Sequence, residues 1–474
     1  MKITHKNYTT MNPAYVRMKH LLLIISLVLM IVSCTNKNTG NDLSAEVKLV
    51  TLDPGHFHAA LVQKSAYPQV SNDVYVYAPK GDDLNEHLGK IESYNTRSES
   101  PTTWNEIVYI GNDYLEKMLT EKKGNVLITA GNNAKKTSYI KSAVSAGIHV
   151  LADKPMAINI RDFEVLKECF SLAAQKKVLL YDIMTERFEI TTMLQKAFSQ
   201  IPAVYGSQQS GTQEDPGIVK ESVHHFFKTV SGKPLKRPAW FFDVEQQGEG
   251  IVDVTTHLVD LVQWECYPEQ TLDYQKDIQL LAANRWTTGL SPAQFKEATG
   301  LDTYPDYLKK NVSGDTLQVY ANGNIFYRLK DVYAKVSVTW NYSYPEGGGD
   351  THYSIMKGSK SHLIIEQGKE QNYRPTLFIK VVAGTDLALY EQDLQLALKQ
   401  ITDKYPGVTL SKKDKDVWKV EVPDKYHNGH EAHFGQVTEN FLQYLKAGKL
   451  PEWEVPNMIA KYYVTTHAQE LAKN

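Results

Sequence analysis

The sequence predicts an α/β chain: a doubly wound parallel-sheet domain, then an α+β domain with a large open, mainly antiparallel sheet. Three observations carry this. Between residues 47 and 181, short apolar runs alternate with stretches of helical spacing. From residue 316 the pattern changes to apolar–polar alternation, as in strands with one covered face. The chain has 474 residues, 42% hydrophobic and 22% charged, a globular composition long enough for roughly two to four domains. Its 52 basic residues stand against 54 acidic ones, so no basic face offers itself to nucleic acid. Three cysteines are too few for a disulfide framework or a zinc site of several thiolates.

The N-terminus reads as an address. Lys19 and His20 precede an apolar run over 21–32 broken only by Ser26. That run falls short of the ~20 residues needed to span a bilayer and fits the core of an export signal. It ends in Ile31-Val32-Ser33-Cys34, which resembles a bacterial lipobox, where the cysteine is lipidated and becomes the new N-terminus. Residues 1–34 are therefore expected to be a lipoprotein signal and the polar segment 35–46 a tether. A membrane anchor at Cys34 would place the protein in the bacterial cell envelope, facing the periplasm. The plainer alternative is a signal peptide whose cysteine is accidental.

Residues 47–183 are expected to form the doubly wound domain. Strands are read over 47–53, 74–78, 106–110, 125–129, 149–152 and 178–181. Helices are read over 56–66, 82–93, 113–121, 134–146 and 161–175. Such sheets bind ligands beyond the carboxyl ends of their strands. The chemistry is therefore expected after Leu52, Tyr77, Thr129, Ala152 and Tyr181. The first of these loops is Asp53-Pro54-Gly55-His56-Phe57-His58, where a dinucleotide fingerprint carries three glycines; only the central one is present. A plain strand–turn–helix is the alternative. After the second strand, Ala78-Pro79-Lys80 offers no acid for a ribose, while Lys80 suits a 2′-phosphate, so NAD and NADP both stay open. The loop Asp153-Lys154-Pro155 puts a lysine at a strand end, where its ammonium can reach a cofactor ribose and a substrate oxygen.

A second constellation follows Gly248 and Gly250: Asp253 and His257, four apart and so on one helix face. Oxidising a secondary alcohol needs a base for the hydroxyl proton, and imidazole titrates in the right range. His257 is expected to be the acid–base group, Lys154 to polarise the same oxygen, and Asp253 to orient substrate or tune the imidazole.

The stretches VLITAGNN (126–133), AGIHVLADKP (146–155) and GEGIVDVTTHLVDL (248–261) resemble the glucose–fructose oxidoreductase, inositol dehydrogenase and rhizopine-catabolism (Gfo/Idh/MocA) family. Its usual Glu-Lys-Pro is Asp153-Lys154-Pro155 here. The resemblance covers roughly residues 47–265 and extends more loosely to the end. It implies a Rossmann domain and an NAD or NADP cofactor, tightly bound in one version. That cofactor would lie along Gly55, His56, Phe57, His58, Ala130, Gly131, Asn132, Asn133, Asp153, Lys154 and Pro155. It also implies a second domain whose open sheet often serves as an oligomer interface, hence a homo-oligomer.

The second domain is read as residues 184–474. A hairpin is expected with its turn at Asn322-Gly323-Asn324, followed by strands over 334–344, 353–356, 361–365, 376–382 and 417–422. Helices are expected over 385–402 and, closing the chain, over 433–444 and 455–472. Glu186, Arg187, His224, His225 and His430 are candidate substrate contacts, although Glu186-Arg187 is equally a structural pair. The spacing of His430, Glu431 and His433 fits no closed zinc pattern, and no metal is expected. Cys169 and Cys266 read as buried thiols. Trp240, Trp264, Trp286, Trp340, Tyr342 and Tyr344 are a set of aromatics suited to stacking on sugars, or simply to packing. The leading expectation is a sugar or glycoside oxidoreductase, acting at a secondary hydroxyl such as C3. The alternatives are a redox-cycling NAD-dependent glycosidase and a non-catalytic carbohydrate-binding lipoprotein.

Overall fold

The computed structural model describes residues 46–230 and 233–473. The expected signal, Cys34 and most of the tether lie outside the described residues. Among the described residues no helix is long and apolar enough to cross a membrane.

The first sheet has six parallel strands: β1 (Leu49–Leu52), β2 (Asp73–Ala78), β3 (Asn105–Ile110), β4 (Val126–Thr129), β5 (His149–Asp153) and β6 (Leu180–Ile183). Their order, β3-β2-β1-β4-β5-β6, is that of a dinucleotide-binding sheet. β1, β4 and β6 are buried along their whole length, which is why they read as continuous apolar runs. The helices between them are α1 (His58–Leu61), α2 (Asp82–Thr96), α3 (Tyr114–Glu121), α4 (Asn133–Ser145) and α5 (Ile160–Lys176).

The first helix is a single turn, not the helix over 56–66 that the apolar spacing suggests. Side chains end it: the carbonyls of Val62, Gln63 and Lys64 accept from Tyr67 Oη, Trp104 Nε1 and Arg97 Nη2. Those carbonyls are therefore not free to extend the helical ladder.

After α6 (Ile190–Ser199) the chain enters a ten-stranded sheet. Its strands are β7 (Ile218–Phe227), β8 (Ile278–Leu290), β9 (Val312–Ser313), β10 (Thr316–Leu329), β11 (Val332–Ser343), β12 (Thr351–Lys357), β13 (Ser361–Gln367), β14 (Thr376–Val381), β15 (Thr409–Asp414) and β16 (Val417–Glu421). The path runs β8-β10-β11-β7-β12-β13-β14-β16-β15, with β9 paired to β10. Only the β7–β11 pair is parallel. The helices are α7 (Val244–Gln247), α8 (Gly250–Asp253), α9 (Thr255–Cys266), α10 (Pro292–Thr299), α11 (Asp306–Lys309), α12 (Leu387–Lys404), α13 (Gly429–Ala447) and α14 (Glu454–Leu471).

The expected hairpin at Asn322-Gly323-Asn324 is not formed. β10 runs straight through these residues and turns only after Leu329. Asn322 patches a register shift opposite Trp286: its amide donates to Trp286 O and Thr288 Oγ1, and its oxygen accepts from Trp340 N. Gly323 is there for close packing, since a Cβ would lie 2.8 Å from Ile251 Cβ.

The closing helices join the two sheets. α13 buries Phe434, Phe441 and Leu442 in the core of the parallel sheet. α14 gives Met458 and Tyr462 to that core and Ala460, Val464 and Ala468 to the core of the large sheet. Each set repeats at helical spacing, so one helix serves two cores from two faces. Cys169 is buried in α5, and Cys266 is the partly buried last residue of α9; both thiols are free.

Candidate active site

The carboxyl ends of β1 and β5 open onto a cavity of about 720 Å³. Its far wall is the large sheet, through Ser222 and His224 on β7, Trp340 on β11 and His352 on β12. The helices α8 and α9 complete it. Their approach depends on Gly250, where a Cβ would lie 1.7 Å from Ala321 O of β10.

Lys154 enters from the end of β5, and its Nζ donates to Asp253 Oδ1 at 2.6 Å. Gln247 Nε2 donates to the other Asp253 oxygen at 3.2 Å. Burial works against the ammonium, but the carboxylates of Asp253 and Asp153 hold its pKa above the ordinary lysine value. The Lys154–Pro155 peptide is cis.

His257 lines the same cavity one helical turn on. Its Nδ1 has no hydrogen-bond partner among the described residues. Burial, reinforced by the charge of Lys154, holds its pKa well below 6.5. It is thus a neutral imidazole whose buried Nδ1 spends no hydrogen bond. Glu186 also faces the cavity, and burial pushes its carboxyl up to about 7.

The loop after β5 rests on Lys136 of α4, a residue the sequence reading passed over. Its buried Nζ donates to Asn133 Oδ1 at 2.5 Å and to the carbonyls of Asp153 and Pro155 at 2.8 and 3.2 Å. Burial pulls its pKa down to about 8. The only signal was a lysine on the inward face of a helix.

Of the candidate cofactor residues, His56, Phe57, His58, Gly131, Asn133, Asp153 and Lys154 line the cavity. Asn132 caps α4 and donates to Gln246 Oε1; Asn133 donates to Gln247 O. Ala130 O accepts from the Gly55 and His56 amides, and Pro155 is buried beneath its loop. His224 and His430 line the cavity, with His224 stacked on Trp340 at 5.0 Å.

Two candidate substrate contacts are corrected. Arg187 faces away, engaged by Asp260 (2.6 and 2.7 Å) and Glu454 (2.9 and 3.2 Å). Four of its five N–H donors are committed in this buried network, and it does not line the cavity. His225 sits behind the wall, its Nδ1 2.9 Å from Asp350 Oδ1. Of the six aromatics, only Trp340 lines the cavity; Trp286 is an exposed surface residue, and Trp264 lies under Lys196.

The chain matches two family models. One is described as "Oxidoreductase family, NAD-binding Rossmann fold" and matches residues 82–182; the other, "Putative oxidoreductase C terminal domain", matches residues 194–473. The chain belongs to the Gfo/Idh/MocA family of NAD(P)-binding oxidoreductases. A crystal structure of a "putative oxidoreductase" from Parabacteroides merdae is similar at 67% identity and a TM-score of 0.89, covering 90% of this chain and 98% of that one. A levoglucosan dehydrogenase in complex with NADH and levoglucosan shares the fold at 12% identity and a TM-score of 0.58, covering 90% and 97%. A 3-ketoreductase from Actinomadura kijaniata, with NADP and TDP-benzene, shares it at 13% identity and a TM-score of 0.53, covering 88% and 95%. No curated protein matches.

The residues present fit the family's cofactor best at its nicotinamide end. There the cavity is lined by Lys154 at a strand end and by His257. The diphosphate end is narrower. A Cβ on Gly55 would meet Asp83 Oδ2 at 3.0 Å and Trp240 Cζ2 at 3.2 Å, and the indole donates to that same carboxylate at 3.1 Å. The glycine is kept, as close backbone approach requires, with the Trp240 indole beside it.

Proposed function

We propose that the protein is an NAD(P)-dependent dehydrogenase of a sugar or glycoside, oxidising a secondary hydroxyl or reducing the matching ketone. The observation that carries this reading is the meeting of Lys154, Asp253 and the unpartnered His257 in one cavity at the carboxyl end of a dinucleotide-type sheet. When bound, the nicotinamide accepts or gives a hydride. Lys154 holds the substrate oxygen and stabilises its alkoxide character, with Asp253 fixing the ammonium in place. His257, neutral at ordinary pH, takes the hydroxyl proton. Trp340 is packed against His224, Phe226 and Arg237 and backs the wall, while His224, His430 and Glu186 offer polar edges to a sugar. The levoglucosan held by the levoglucosan dehydrogenase favours this substrate class.

One form of the reaction is oxidation at C3, which acidifies the neighbouring C–H and lets a C1 substituent leave by elimination. We further propose that the chain acts as a homo-oligomer through its open sheet, in the periplasm, held by a lipid on Cys34. Support for the anchor is the apolar run over 21–32 ending at Ser33-Cys34. Free nicotinamide cofactor is scarce there, so the cofactor stays bound over many turnovers or is recycled within a redox-neutral glycoside cleavage.

The test is direct. The purified protein is denatured and the supernatant assayed for NAD(H) and NADP(H); the cofactor-free protein is then titrated with each. Release or saturable binding of one of them is expected. Absence of both at millimolar concentration would leave a carbohydrate-binding module in place of an enzyme.

A further inference from the structure

We propose that His56, His58 and Asp153 form a binding site for a divalent transition-metal ion of the zinc type, open to the cavity. The first loop has replaced the last glycine of a dinucleotide fingerprint with a His-x-His pair, and β5 ends in a carboxylate aimed at it. Asp153 Oδ2 lies 3.0 Å from His58 Nδ1 and 3.5 Å from His56 Nδ1. Ligands about 2.0–2.1 Å from a tetrahedral ion stand roughly 3.3 Å apart, so the trio is already spaced for one. All three donor atoms lie within 4.8 Å of one another.

An ordinary hydrogen bond accounts for only part of this. His58 pairs with Asp153, but His56 Nδ1 is buried with no partner, 3.5 Å from an oxygen already in use. An ion between the three atoms would satisfy all of them at once. Two imidazoles and one carboxylate are the donor set of catalytic rather than structural zinc, leaving a position for water or substrate. Nearby cations do not forbid the ion: Lys154 is neutralised by Asp253, and the ammonium of Lys136 is turned into backbone carbonyls. The His430 ring lies 5.4 Å from His58 across the cavity mouth. An ion here would present a Lewis-acidic face to an oxygen of the cavity's ligand. The site departs from the expectation of no metal, which rested on His430, Glu431 and His433. The inference does not depend on the nicotinamide reading, because binding is read without turnover.

The experiment strips the purified full-length protein with EDTA and reloads it with Zn²⁺ or Co²⁺. Stoichiometry is read by elemental analysis and coordination by the visible absorption of Co²⁺. We expect about one ion per chain, with Co²⁺ bands of a low-coordinate nitrogen–oxygen site. His56→Ala and Asp153→Asn each weaken binding by about 100-fold or more, while His433→Ala in the same cavity leaves it unchanged. Circular dichroism checks each variant; should His56→Ala fail to fold, Asp153→Asn decides. Binding of less than about 0.1 ion per chain at saturating metal, or equal affinity in Asp153→Asn, overturns the proposal.

Discussion

Asp253 and Asp260 stand two helical turns apart in one sequence motif, each paired with a cation, yet their surroundings differ in kind. Around Asp253 there is one ion pair and an amide, and Lys154, Gln247, Asp253 and His257 all line one cavity. Around Asp260 the partners close on each other. Arg187 bridges Asp260 to Glu454, Lys461 bridges Asp260 to Asp182, and Tyr462 completes the set. Despite its burial, Asp260 is held well below the usual carboxylate range by Arg187 and Lys461. The second cluster ties β6, α9 and α14 together, and none of its members lines the cavity. Contact with open space separates the two clusters; charge and spacing do not.

The sharpest way to break this comparison is to cut both clusters. Lys154→Ala and His257→Ala are each expected to lower kcat by about 10²–10⁴-fold, measured with the native sugar or a glycoside screen. The melting temperature of His257→Ala should stay close to wild type, while Lys154→Ala, which leaves the buried Asp253 carboxylate with Gln247 alone, should lose some stability beside its loss of turnover. Arg187→Ala is expected to do the converse, costing about 3–5 kcal/mol in a denaturant melt because it strands two buried carboxylates. If Arg187→Ala kept its stability and lost only turnover, the network would belong to the site.

Much of this was legible in the sequence. Lys154, Asp253 and His257 were readable because a strand end and an i, i+4 helical pair fix the direction of side chains. The parallel strands were readable because burial on both faces leaves only apolar residues in them. The large sheet was harder. Asn322-Gly323-Asn324 carries turn chemistry, yet its asparagine repairs a register shift and its glycine admits Ile251, needs that exist only once α8 is docked. Strands β7 and β8 were missed because half-exposed cavity walls and open faces do not alternate cleanly. Adjacent residues Glu186 and Arg187 looked alike as site candidates; a tight turn of Thr185–Phe188 sends one to the cavity and the other to the network.

That divergence gives a pH test. The Glu186 carboxyl is raised from 4.5 to about 7 in the folded state, chiefly by burial and then by the charge of Glu189. The folded protein therefore binds more protons than the unfolded chain between those values. Stability tied to this group is full below about pH 4.5 and is lost as pH rises through 7. Glu186→Gln, which keeps the neutral form at every pH, should stabilise the protein by on the order of 3 kcal/mol at pH 8 and by less than about 1 kcal/mol at pH 5. Equal melts of variant and wild type at both pH values would mean that Glu186 is an ordinary paired carboxylate and belongs with Arg187.

The smallest effect probes the diphosphate end of the groove. Trp240 rests against Gly55 and donates to Asp83, whose carboxyl burial raises, so the indole lies over the one glycine that a diphosphate would be expected to approach. Removing it spares the protein the loss of one hydrogen bond and a ring contact on binding, about 1 kcal/mol net. Trp240→Ala is therefore expected to tighten NAD(H) or NADP(H) binding by roughly 5–10-fold in a fluorescence titration, with Trp286→Ala, on the open surface, as the unchanged control. Weaker binding in Trp240→Ala would carry the opposite meaning: the indole would be a wall of the cofactor groove, and its contact with Asp83 a resting position from which it swings onto the dinucleotide.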